Sequence, residues 1–248
     1  MAYLETFAGI YDAFTDNVSY ADRAAFVLEL LRDAGISDGI LTDLACGTGT
    51  MSAYFADVGF DVIAIDASPD MLMRAREKLA AYGEKVLFLC QDMRSLDLYG
   101  TVRATVCSLD GINHLLTPED VLAAFRRVAL FTEPGGVFIF DVNTPYKHRQ
   151  VLENRSFVYE NDDCFLVWQN ELDAKTDTVD MLLDIFTLQP DGGYLRDCDE
   201  ITERAYETET LCDLLKQAGF SRVTVYADLQ KKAPAPEEER IYFTAIKE

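Results

Sequence analysis

Short apolar runs alternate with amphipathic stretches from residue 39 to residue 141. GILTDL, DVIAID, VLFLC, VRATVCSL and GGVFIFDV read as five strands. Between the first two, Thr50 to Val58 sets Met51, Phe55 and Val58 on one helical face, and Gly59 suits the stop. Ser68-Pro69 is an N-cap followed by a proline at the first helical position, opening a helix that ends near Gly83. Thr117-Pro118 opens another, which runs to about Leu130. This alternation predicts an α/β domain with right-handed crossovers and a mostly parallel sheet covered by helices on both faces.

The rhythm breaks between about 155 and 203. SFVYE, CFLVWQNELD, TVDMLLDIFTLQ and YLRDCDEIT are β-rich, and DAKTD and PDGG between them are turn signals, so antiparallel hairpins are expected. Thr208 to Ala218 is helical with Gly219 as its stop, and SRVTVYADL and ERIYFTAIK are the last strands. The first 35 residues, with AAFVLELLRDAG, read as helical and are expected on the sheet edge. The chain thus divides into one α/β domain, residues 1–150 and 204–248, and an antiparallel β insertion, residues 151–203. Alternation along those strands gathers Phe157, Tyr159, Phe165, Trp168, Phe186 and Tyr194 into one sheet, with one face able to be apolar while the other stays charged.

Composition narrows the function classes. Hydrophobic residues are 49% of the 248, enough for a substantial core, yet no apolar run approaches the ~20 residues that span a bilayer. MAYLETFAGIYDAF has no basic stretch ahead of an apolar core, so no secretory leader is expected. The six cysteines have neither CxxC nor other metal-ligand spacing, so no metal site is expected and a reducing cytoplasm fits. A formal net charge of −21 opposes a polyanion, so no nucleic-acid partner is expected, and without a long apolar run no membrane partner is expected either.

The stretch LTDLACGTGT, residues 41–50, carries the chemistry. A strand, a glycine-rich turn, a helix, and an acid at the end of the next strand together describe a nucleoside site: helix N-terminal amides face the ligand and the acid takes ribose hydroxyls. Asp66, at the tip of DVIAID and 17 residues after Gly49, suits that role. A dinucleotide loop holds a pyrophosphate and usually reads G-x-G-x-x-G. Here Ser52 takes the last position, and Asp43 sits toward the ligand end of the strand. A carboxylate there suits a ligand that brings positive charge, as S-adenosylmethionine does with its sulfonium and ammonium. Asp43 as a turn cap, and Asp92 as a solvent-facing loop acid, are the plainer readings.

Residues 41–50 resemble the first motif of class I S-adenosylmethionine-dependent methyltransferases, in the form D-L-A-C-G-T-G, with Ala45 where that family usually has glycine. IAIDAS, CQDMRSLDL, LDGINHLL and EPGGVFIFDVNTP extend the resemblance in the expected order. It implies a Rossmann-like seven-stranded sheet with S-adenosylmethionine as cofactor and S-adenosylhomocysteine as product. The backbone of Ala45, Gly47 and Gly49 would line the methionine part, with Cys46 and Ala67 beside the cofactor. Asp43 would orient its amino group, and Asp66 would take the ribose hydroxyls. Asp92 would accept from the adenine amino group, with Met93 beside the ring and Leu109 near the sulfonium. YDAFTDNVSY resembles the tyrosine-bearing N-terminal segment that covers the cofactor, which makes Tyr11 and Tyr20 candidates.

Asn113 and His114 follow the fourth strand, where the transferred methyl would lie, so both are candidate catalytic residues. His114 beside Leu115 and Leu116 also suits a packed core. His148, in the loop after the fifth strand, is expected to be exposed. The reading that follows is methyl transfer to an O or N atom of a small, neutral or cationic acceptor by a monomer or homodimer, with the β insertion covering the acceptor site. Action on RNA or protein, a dinucleotide enzyme, and a non-catalytic cofactor-binding module are the competing classes, since fold alone does not decide function.

Overall fold

The computed structural model describes residues 5–15 and 18–248; the first four residues of the N-terminal stretch, and Asp16 and Asn17 within the tyrosine segment, lie outside it. In chain order the elements are α1 (Glu5–Phe14), α2 (Tyr20–Asp33), β1 (Ile40–Leu44), α3 (Thr50–Asp57), β2 (Asp61–Asp66), α4 (Pro69–Lys78), β3 (Val86–Cys90), β4 (Val102–Cys107), α5 (Pro118–Phe131) and β5 (Thr132–Asn143). Four hairpin strands follow: β6 (Ser156–Glu160), β7 (Cys164–Asp173), β8 (Thr178–Leu188) and β9 (Tyr194–Arg204). The chain closes with α6 (Thr208–Ala218), β10 (Phe220–Ala227) and β11 (Arg240–Lys247). Capping acts where the sequence indicates it: Ser68 accepts from the Met71 amide and Thr117 from the Asp120 amide, each just ahead of a proline. The helix opened by Ser68 stops at Lys78, short of Gly83, and tighter turns carry the chain on to Lys85.

Seven strands form the main sheet in the order β10-β11-β5-β4-β1-β2-β3. The four pairings that join β5, β4, β1, β2 and β3 are parallel, and β11 alone runs against its neighbours. Alternation sorts its two faces: Phe138, Phe140 and Val142 of β5 pack toward α5 and α6, whereas Val137 and Ile139 join α2 and α3. The N-terminal helix α2 is therefore on a face of the sheet and not at its edge. Phe26, Val27, Leu30 and Leu31 share one cluster with Leu41, Ile139 and Tyr242 of three different strands. The physical reason is area: a wide apolar stripe buries more against the middle of a sheet than against an edge.

β6–β9 form a separate antiparallel sheet, in that order. One face, with Leu166, Met181, Leu183, Ile185 and Ile201, packs against α1 through Phe7 and Ala8. The six aromatics of these strands divide between the faces. Phe157, Tyr159 and Trp168 flank that inner core, while Phe165 pairs with Phe186 across β7 and β8, and Tyr194 is exposed. A period of two separates Phe165 from Trp168 onto opposite sides. No helix among the described residues is long and apolar enough to cross a membrane.

Candidate functional site

The sheet reverses its strand order between β1 and β4, and ligands of open α/β sheets bind at the carboxyl ends beside such a point. There the chain leaves β1 through three left-handed residues, Ala45 (φ 57°), Gly47 (φ 54°) and Gly49 (φ 79°). A side chain on Gly47 would meet nothing within 4 Å, because this turn faces an open cavity. Gly49 faces the other way. A Cβ there would stand 2.8 Å from Leu79 Cδ1 and 3.2 Å from Ala75 Cβ, so glycine is required for close approach of the loop to α4. Gly49 is not among the residues that line the cavity.

Ala45 departs from the family pattern at a position that carries a steric cost, because alanine in the left-handed region is disfavoured by ~1–2 kcal/mol. Ala45→Gly is expected to stabilise the fold by about 0.5–1 kcal/mol, the steric relief less glycine's added chain entropy. Urea unfolding measures it; a loss of stability would contradict the strain.

Three acids converge on this cavity, each held differently. Asp43 at the end of β1 is fully buried and accepts from Ser52 Oγ at 2.5 Å. Burial pushes its carboxyl up to about 7, opposed by the Ser52 bonds and reinforced by the Asp66 charge. Asp66 accepts from the Gly47 amide at 2.9 Å and from the Ser68 amide at 2.8 Å, which ties the glycine turn to the start of α4. Burial raises its carboxyl above the usual range despite both amides. Asp92 is gripped by the Arg94 guanidinium (2.6 Å to Nη2) and accepts the Arg94 amide at 2.8 Å, which holds its carboxyl below the usual range. Arg94 is a wall residue that sequence reasoning missed, although its position two residues after Asp92 is the signal of such a pairing.

A carboxyl raised by burial binds its proton more tightly folded than unfolded. Its stabilising contribution is therefore complete below about pH 4 and is lost as pH rises through about 7. Asp43→Asn is expected to flatten that decline in the ligand-free protein. Unfolding curves from pH 4 to 8 measure it, and an unchanged slope in the variant would contradict the assignment.

The cavity encloses about 340 Å³, within the range of small-molecule sites. Its walls include the Ala45–Gly47 turn, Ala67, Met93 and Leu109, and the rings of Tyr11 and Tyr20 close it from the N-terminal side. α1 is fastened there by Asp12, which accepts from Thr48 Oγ1 at 2.6 Å and pairs with Lys78 at 2.6 Å. These residues fit S-adenosylmethionine. Acids stand where positive charge and ribose hydroxyls would lie, an open glycine turn leaves room for the chain, and Ser108 Oγ on the wall is buried without a hydrogen bond among the described residues.

A second cavity of about 220 Å³ adjoins the first, sharing Tyr11, Leu109, His114 and Ile201 with it. Phe14, Tyr159 and Trp168 form its aromatic side, and Asp110, Glu203 and Arg240 its polar floor. His114 is half-buried at the junction rather than packed in the core. Asn113 is not there: fully buried, it donates to the Asn143 and Arg204 carbonyls and accepts the Asn143 amide. With its amide engaged by backbone, it pins the loop after β4 to β5 and β9, and the expected catalytic role is corrected.

Beneath the floor lies a buried charge network. Arg240 of β11 pairs with Asp141 of β5, donates to Asp110 at 3.1 Å and to Asn143 Oδ1 at 2.9 Å. Asp141 also accepts the Leu109 amide at 2.8 Å, and so helps hold Leu109 and Asp110 in the left-handed region. Asn143 Nδ2 donates to Asp110 at 2.8 Å and to Glu203 at 2.9 Å. Despite burial, Arg240 and neighbouring cations hold the Asp110 carboxyl well below its usual range. His148, expected to be exposed, is fully buried: a turn at Lys147–Leu152 swings it inward, with Nδ1 3.0 Å from the Asp177 carbonyl and Nε2 3.7 Å from Glu203 Oε2. No local pattern announces Glu203, Arg240 or His148 as neighbours of the site, because their partners lie far away in the chain.

Comparison with known proteins bears on this geometry. A family model described as a methyltransferase domain matches residues 41–136. YqeM of Bacillus subtilis (strain 168), provisionally named a methyltransferase, is 32% identical over 97% of this chain and 96% of its own length. The crystal structure of an S-adenosylmethionine-dependent methyltransferase from Clostridium acetobutylicum ATCC 824 superposes with a TM-score of 0.87 at 31% identity, covering 98% of each chain. The dTDP-3-amino-3,4,6-trideoxy-alpha-D-glucopyranose N,N-dimethyltransferase of Streptomyces venezuelae is 32% identical over 54% of this chain and 56% of that enzyme. The glycine/sarcosine N-methyltransferase of Parasynechococcus marenigrum (strain WH8102) is 25% identical over 95% of this chain and 81% of that enzyme.

Proposed function

Because the chain belongs to the class I S-adenosylmethionine-dependent methyltransferases, we propose that it methylates the nitrogen of a small amine held in the second cavity. The observation that carries this reading is the junction of the two cavities at Tyr11, Leu109 and His114, beside an acidic and aromatic compartment. Two similar enzymes named above are N-methyltransferases of an amino sugar and of glycine and sarcosine, which supports nitrogen as the acceptor atom.

The cofactor supplies an electrophilic methyl group. This chain's residues orient it, through Asp43 and Asp66, and keep water away from the junction through Tyr11 and the apolar Leu109. The acceptor nitrogen, as the free base, would give its lone pair to the new C–N bond as the methyl–sulfur bond breaks, that bond's electron pair staying on sulfur. An amine bound as the ammonium gives up one proton before transfer to free its lone pair, and the methylated nitrogen gives up a further proton on returning to the free base. His114, a base shared by both cavities, would take the first. Alignment and exclusion of water carry much of the rate. The sheet β6–β9, with 13 acids and three bases over residues 156–204, roofs the acceptor and favours a neutral or cationic molecule over a polyanion.

The test is uptake of labelled methyl from S-adenosylmethionine into matched panels of small amines and alcohols. Label in amines is the expected result, and label confined to alcohols would overturn the reading. His114→Ala is expected to lower kcat by ~100-fold while leaving S-adenosylhomocysteine affinity within twofold. A fall in activity that only follows lost folded protein would assign His114 to packing instead.

A further inference from the structure

Glu203 is the last inward-facing residue of β9, in register with Val179 of β8, and its side chain is nine-tenths buried. One carboxylate oxygen, Oε2, accepts from Asn143 Nδ2 at 2.9 Å and stands 3.7 Å from His148 Nε2. The other, Oε1, has no hydrogen-bond partner among the described residues, and the side chain lies on the floor of the second cavity. This oxygen is open to the cavity, so a ligand N–H entering there meets a free acceptor on a side chain that is otherwise buried. Asn143 holds the other oxygen, with the buried His148 ring beside it, so the open one is directed at the cavity.

The rest of the floor sets the sign of that ligand. Asp110 has both oxygens engaged, one by Arg240 and one by Asn143. Arg240, a floor cation, is countered by both Asp110 and Asp141. Lys147, which donates to Asn143 Oδ1 at 2.8 Å, faces the carboxylates of Asp110, Glu203 and Glu239, so the acids outnumber the cations. A carboxylate entering here would meet a guanidinium already doubly paired, and Glu203 beside it. An ammonium would meet an open carboxylate oxygen and the aromatic side formed by Phe14, Tyr159 and Trp168, whose ring faces attract cations.

Resting on the reading of the second cavity as the acceptor site, we infer that Glu203 is its specificity-determining residue, accepting an N–H of a cationic amine that carries no carboxylate of its own. The acceptor class is thus an amine on a neutral body, such as an amino sugar or an aryl-alkyl amine, and not an amino acid. Glu203 acts in binding and takes no part in bond making.

The chain's single tryptophan lines this cavity, so its fluorescence reports occupancy without any turnover. The probes are benzylamine, benzyl alcohol and phenylglycine, titrated into the intact protein with S-adenosylhomocysteine present. Benzylamine is expected to bind at least ~10-fold more tightly than the other two, and Glu203→Gln to remove that preference while benzyl alcohol binding stays within twofold. Should the variant not fold, the wild-type order of the three probes decides alone. Equal binding of benzylamine and benzyl alcohol, phenylglycine binding as tightly as benzylamine, or a preference that survives in Glu203→Gln would each overturn the inference. If the benzylamine preference holds while labelled methyl enters only alcohols, the assignment of Glu203 stands and N-methylation falls.

Discussion

Asp66→Ala is expected to weaken both S-adenosylmethionine and S-adenosylhomocysteine by roughly 10- to 150-fold, since hydrogen bonds to a charged acceptor are worth ~1.5–3 kcal/mol. The loss has two parts. The carboxylate would hold the ribose hydroxyls, and it also ties the Gly47 and Ser68 amides together across the cavity rim. Removing it leaves both amides without that acceptor and loosens the turn that the ligand must meet. Asp66→Asn separates the parts, because an amide oxygen still accepts while its NH₂ opposes a facing amide. Titration calorimetry with the folded variants measures the effect. Unchanged affinity in a folded Asp66→Ala protein would refute the assignment of this site.

Arg240→Met is expected to lower the unfolding free energy by ~3–5 kcal/mol, the usual cost of leaving buried charges without their partner. Asp110 and Asp141 both depend on this guanidinium, and Asp141 in turn accepts the amides of the strained residues Leu109 and Asp110. The aliphatic body of methionine fills similar space, so lost packing contributes little. A second substitution, Asp110→Asn, is expected to restore a large part of the loss, since it removes one uncompensated charge. Urea unfolding of the single and double variants measures the coupling; additive losses would mean that the pair does not interact. The pH dependence follows from the depressed Asp110 carboxyl. Its stabilising contribution is present above the ordinary carboxylate range, near pH 4, and is lost only in stronger acid.

The cofactor half of the site was legible because its residues lie in one continuous strand–turn–helix–strand segment. Asp43, Ala45, Gly47 and Asp66 line one cavity because each stands at or just beyond a strand end, and strand ends follow from local periodicity. At Gly49 the sequence is ambiguous for a local reason: a glycine needed to let α4 approach is indistinguishable from one that bares backbone to a ligand.

The second cavity obeys long-range pairing. Asp141 and Arg240 are 99 residues apart, and Asn113 reaches a carbonyl 91 residues away. Which of these side chains meet is settled by the register of β11 on β5, with Tyr242 opposite Asp141 and Arg240 opposite Asn143. A slip of one residue would turn Arg240 to the opposite face. Likewise, the inward turn at Lys147–Leu152 takes His148 from an expected loop surface to a place beside Glu203. Local apolar periodicity, capping and the order of strand ends therefore determined the α/β framework, the separate antiparallel sheet and the cofactor loop. Strand register and the docking of β9 and α1 over the main sheet decided the floor of the second cavity, because those contacts join segments whose spacing along the chain carries no periodic signal.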